Sequence, residues 1–175
     1  MAWYDNVFSM IDLRSFTNIW FWVALAVMWS SLSHYVIGVP FDMVQRARRK
    51  GGEAMDDLEA LVDIQTRRQL YILRTGGVWV IGFWSAFIAA LAVVGFGYRV
   101  EVAQALTLLI LPMSIVFAMG FRLAARIEAE NPRDEALTRR LTWHRLKVQV
   151  IGIVSILISA LWGMWQFQAA SVLGR

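Results

Sequence analysis

The two histidines, His34 and His144, are where this sequence could most readily do chemistry. His34 sits in WSSLSHYVIGVP (29–40), among three serines inside an apolar run, and His144 sits in the basic stretch TRRLTWHRLK (138–147). A neutral imidazole can ligate haem iron, hydrogen-bond a quinone or relay a proton. Ligation of one haem by both rings requires them to meet at the iron. Measured along the helix rise, His34 lies about 7 Å inside the cytoplasmic edge of the apolar blocks defined below and His144 about 6 Å outside it. That offset works against a shared haem. It leaves haem or quinone binding near His34 as an alternative in which the second ligand comes from another helix or another chain.

Other chemistry is sparse. The chain has no cysteine, which removes thiolate metal sites, iron–sulfur ligation and thiol nucleophiles. The acid nearest His34 in sequence is Asp42, about two turns further on, so a Ser-His-Asp arrangement is not built locally. The cluster EAMDDLE (53–59) lacks calcium-loop spacing and reads as a helix start, and neither a phosphate-binding loop nor a dinucleotide fingerprint occurs. The expectation is a non-enzymatic protein with no resident metal.

The elements that must position these residues are unusually apolar. Hydrophobic residues make up 58% of the 175, with a mean hydropathy of +0.53. Four blocks, 18–39, 76–97, 101–121 and 148–168, are each long enough to cross a bilayer as a helix of about 20 residues. Seven Lys or Arg lie in 41–75 and seven in 122–147, leaving only Arg14, Arg99 and Arg175 elsewhere. The positive-inside rule then makes both long connections cytoplasmic and both termini periplasmic in a bacterial inner membrane. The same rule accounts for the net charge of +4 without nucleic acid. Residues 1–12 have no cationic leader, so the first block reads as a retained helix, preceded by a short interfacial helix carrying Trp3, Val7, Phe8 and Ile11.

Both cytoplasmic connections read as helical. FDMVQRARRK (41–50) is stopped by Gly51 and Gly52. Glu53, Asp56 and Asp57 open the next helix, in which Asp63 precedes Arg67 by four residues. In the second connection Asn131 is expected to cap a new helix with Pro132 at its first position. The fold class is therefore all-α: a single polytopic membrane domain, a four-helix bundle with a charged cytoplasmic crown. Arg46, Arg48, Arg49, Asp56, Asp57, Arg139 and Arg140 are the crown residues available to dock a soluble partner.

Within the blocks, small and polar residues mark packing faces. Ser30, Ser31, His34 and Gly38 form one stripe on the first, and Gly152, Ser155, Ser159 and Gly163 another on the fourth. Lipid cannot satisfy such groups, so they belong against protein, within the bundle or between copies of the chain. Pro112 should kink the third block, giving a second alternative, a small permease or channel component built on that kink. Apart from His34, no ionisable residue lies in mid-membrane, which disfavours ion-coupled transport.

The blocks DLRSFTNIWFWVALAVMWSSLSHYVIGVPFDMV and SALWGMWQ resemble a family of small alphaproteobacterial inner-membrane proteins, some of them labelled as components of the SUF (SufBCD) iron–sulfur assembly complex. The resemblance implies a four-helix inner-membrane protein and supplies no active-site residues. Together these features predict an accessory, assembly or anchoring subunit. Its partners are other membrane subunits or further copies of itself, a soluble protein at the crown, and bound lipid.

Overall fold

In the computed structural model, residues 19–172 are described, with side chains over 19–168. The expected interfacial helix at the N-terminus lies outside the described residues. The described chain is helical but for one small hairpin. Its elements are α1 (Ile19–His34), β1 (Tyr35–Val36), β2 (Val39–Pro40), α2 (Phe41–Lys50), α3 (Glu53–Ala92), a π-helical turn (Val93–Gly97), α4 (Glu101–Glu130) and α5 (Asp134–Val172). Three helices, α3, α4 and α5, are long and apolar enough to cross a membrane. α1 is a shorter apolar helix of 16 residues, spanning about 24 Å.

α1 ends at His34, five residues before the boundary expected at 39. The chain then reverses through an antiparallel hairpin pairing Tyr35 with Pro40 and Val36 with Val39. Ile37 and Gly38 at its tip both have positive φ, 46° and 80°, the backbone of a primed two-residue turn. Glycine takes this conformation freely, whereas a β-branched isoleucine does so at a cost. Burial offsets that cost, since Val36, Ile37 and Val39 are 1%, 7% and 0% exposed. They join Phe41, Val44 and Ala47 of α2, Leu58 and Val62 of α3, Ile127 of α4, and Leu137 and Leu141 of α5 in one core. The crown is therefore a packed head with its own hydrophobic interior.

Its helix ends follow local chemistry, with one exchange of roles. Gly51 and Gly52, both at positive φ, separate α2 from α3, and Glu53 and Asp56 occupy the first turn of α3 as expected. Asn131, however, closes α4 instead of opening α5. It adopts a left-handed conformation, φ 43° and ψ 52°, and its N–H donates to the Ile127 carbonyl at 2.9 Å. α5 begins at Asp134, whose N–H donates to Oε1 of Glu59 on α3 at 2.7 Å, so the start of α5 is capped from another helix. The carboxylate of Asp63 likewise goes to Arg133 at 3.2 Å and not to Arg67, which donates to the Asp63 carbonyl.

The second cluster lies between the long helices, where Leu25 and Trp29 of α1 meet Val116 of α4 and Val148 of α5. Trp29 lies over Gly152. A Cβ there would stand 2.9 Å from the indole Cε3, so only glycine admits this approach. α4 continues as a helix through Pro112. Two residues on, Ser114 donates to the Ile110 carbonyl of its own helix and accepts from Trp84 Nε1, both at 2.8 Å. That bond fastens α3 to α4.

Candidate functional site

The structure redistributes the residues singled out in the sequence. Ser30, Ser31 and His34 are exposed on the chain's surface, and Gly38 lies in the hairpin turn, off α1 altogether. The buried face of α1 carries Leu25 and Trp29 instead. The His34 ring stands edge-on to Tyr35, with centroids 4.9 Å apart. On α5, Gly152, Ser155 and Ser159 are buried and Gly163 half-buried, so this stripe packs within the chain. The hydroxyls of Ser155 and Ser159 find no partner there, nor does the indole N–H of Trp29. Of the docking residues, Arg46, Arg48, Arg49, Asp56, Asp57 and Arg139 are exposed on the crown. Arg140 is half-buried and ion-paired with Glu130.

Three arrangements escape a reading by sequence alone. The first is Arg145, whose Nε donates to the Ser33 carbonyl at 3.0 Å, satisfying an orphan group in the last turn of α1. Its guanidinium also lies 3.9 Å from the centroid of the Phe41 ring, so one side chain ties α1, α2 and α5 together. The second lies at the opposite end of the long helices. Gln104 Nε2 donates to the Gly95 carbonyl at 2.8 Å, while its Oε1 accepts from Trp162 Nε1 at 3.1 Å and from Gln166 Nε2 at 2.5 Å. The π-helical turn and the close contact of Gly95 with the α4 backbone make that knot possible.

The third arrangement is a cleft of about 690 Å³ where α4 leaves the long-helix bundle beside α5. α4 contributes Met119, Arg122, Leu123, Arg126 and Glu130, and α5 contributes Arg139, Arg140, Trp143, His144 and Lys147. The sequence carries a trace of it. Arg122, Arg126 and Glu130 recur every four residues, as do Arg140 and His144, so each set shares a helix face. That the two faces oppose each other is a tertiary fact.

The electrostatics of the cleft are one-sided. Five cationic side chains face the single carboxylate of Glu130. The Arg140 guanidinium, hydrogen-bonded to that carboxylate, holds it below the usual range, with Arg126 adding to the effect. His144, one turn before the fourth block begins at 148, is 8% exposed; burial first and the Lys147 cation second push its pKa down. Both effects favour the neutral imidazole. Elsewhere in the crown Arg74 pairs with Glu128 at 2.6 Å and Arg133 with Glu59 at 3.2 Å. Among the described residues, Arg122, Arg126, Arg139 and Lys147 make no salt bridge. Comparison with protein-family models, with curated proteins and with solved structures gives no match to this chain.

Proposed function

We propose that this chain is a non-enzymatic membrane subunit that holds a folded cytoplasmic head at the surface of a bacterial inner membrane, acting in assembly or anchoring of a larger complex. One observation carries the reading: the deepest apolar burial lies in the crown, while the long helices leave their apolar sides uncovered. Leu58, Val62 and Leu141 are 0% exposed, against 85%, 84% and 78% for Val78, Trp79 and Phe83 on α3. Such a surface suits lipid or a membrane neighbour, and such a head suits recognition.

In this reading α1 is a fourth span, packed on α5 through Trp29 and Gly152, and both termini are periplasmic. Its length falls short of a hydrocarbon core of about 30 Å. In the hairpin that follows, Val36, Ile37 and Val39 are buried in protein, which is where non-helical backbone is tolerated at membrane depth. The crown then offers Arg46, Arg48, Arg49, Asp56, Asp57 and Arg139 to a soluble partner. The resemblance to proteins labelled as SUF components makes an iron–sulfur assembly protein one partner to look for.

The test is site-specific photocrosslinking in cells. A photoreactive residue at Arg48 or Asp57 on the crown should yield one discrete protein adduct. The same residue at Val78 or Ile153 samples the membrane surface and separates lipid-facing positions from contacts with other membrane subunits. No protein adduct from either crown position refutes docking at the crown.

A further inference from the structure

We infer that the cleft between α4 and α5 binds the phosphate headgroup of an acidic phospholipid from the cytoplasmic leaflet. This rests on the proposal that the crown faces the cytoplasm.

The cleft's chemistry is graded along the helices. At the end nearer the bundle lie Met119 and Leu123, with Arg122 and Lys147 beside them. Arg126, Trp143 and His144 follow, and Arg139, Arg140 and Glu130 are outermost. From Met119 to Glu130 this gradient runs about 16 Å along α4. Arg122 and Lys147 lie just outside the crown-side ends of the third and fourth apolar blocks, residues 121 and 148, where the hydrocarbon gives way to headgroups. An amphiphile entering from the bilayer thus meets apolar side chains at its glycerol end and cations at its phosphate.

The cleft is also strongly cationic. Arg122, Arg126, Arg139 and Lys147 line the cleft without a salt bridge, and the one carboxylate lining it is ion-paired with Arg140. Like charges lining one cleft favour an anion between them, and a guanidinium fork matches phosphate oxygens in pairs. Basic pockets between membrane helices on the cytoplasmic side have this preference for acidic headgroups. The volume, about 690 Å³, is within the range of small-ligand sites. Trp143, 59% exposed at the rim, has the amphipathic character of an interfacial anchor.

The purified full-length protein, stripped of lipid in detergent, is offered phosphatidylcholine, phosphatidylglycerol or cardiolipin, and retained lipid is counted by native mass spectrometry. The expected result is at least tenfold preferential retention of the acidic lipids. Arg126→Gln with Lys147→Gln should weaken retention on the order of thirtyfold. The same charge loss at Arg46→Gln with Arg49→Gln, outside the cleft, should leave it unchanged. All four side chains are exposed, so the variants keep the fold.

Equal retention of phosphatidylcholine, or equal losses in the two double variants, overturns the inference. Displacement of the acidic lipid by millimolar inorganic phosphate assigns the cleft to a free anion and overturns the lipid source. Extraction of the chain from membranes by alkaline carbonate refutes the membrane reading itself. A chain that resists extraction yet shows no lipid preference refutes the cleft alone.

Discussion

Replacing Gly95 with alanine should separate the α3/α4 hairpin, although the change adds one methyl group. The new Cβ would lie 2.7 Å from the Gln104 backbone nitrogen and 2.9 Å from the Ala103 carbonyl carbon. Both are main-chain atoms of α4, so no rotamer change relieves the clash. Overpacking of this kind costs about 1–3 kcal/mol. Moving the helices apart also strains the 2.8 Å bond from Gln104 to the Gly95 carbonyl, worth about 1 kcal/mol. The combined loss of about 2–4 kcal/mol corresponds to a fall in Tm of about 5–15 °C for a chain of this size. Thermal melts followed by circular dichroism in a mild detergent measure it. Two controls bracket the effect. A Cβ at Gly97 comes no nearer than 3.9 Å to a side-chain atom, and one at Gly82 meets nothing within 4 Å. Gly97→Ala should be neutral and Gly82→Ala neutral or stabilising by up to about 1 kcal/mol. If Gly95→Ala melts with these controls, the close approach of α4 to the π-helical turn is refuted.

Gly152→Ala should cost about 1–3 kcal/mol by driving a methyl group into the buried Trp29 ring, and Trp29→Phe in the same chain should recover about 1 kcal/mol of the summed losses, read as the coupling in a double-mutant cycle. His144 gives the head a pH dependence. Its folded pKa lies below the ordinary 6.5, so the unfolded chain takes up the proton first. The stability this contributes is fully present above pH 6.5 and is lost as pH falls through the folded value. Melts of the wild type should show this decline above the carboxylate range, and His144→Gln should flatten it.

The sequence reports well on features settled by local chemistry. Gly51 and Gly52 stop α2, and acidic residues open α3. It reports poorly where an apolar residue has two possible destinations. Val36, Ile37 and Val39 read as the end of a lipid-facing helix because hydropathy does not distinguish lipid from a protein core. The core of the crown claims them, and α1 stops at His34. Asn131 is ambiguous for a similar reason, since the same side chain favours a helix start and a left-handed helix end. The Gln104 knot and the α4/α5 cleft bring together residues from separate helices. Only the four-residue spacing of each half of the cleft was legible beforehand.

In the proposed topology a folded head lies on the cytoplasmic side, carried by helices that cross the membrane. Because the chain has no cysteine, single cysteines placed at Asp57 in the crown and at Arg99 between α3 and α4 report on it directly. A membrane-impermeant maleimide applied to intact cells should label Arg99→Cys at once and Asp57→Cys only after the inner membrane is permeabilised. Labelling of Asp57→Cys in intact cells, or identical labelling of both positions under both conditions, would contradict the account.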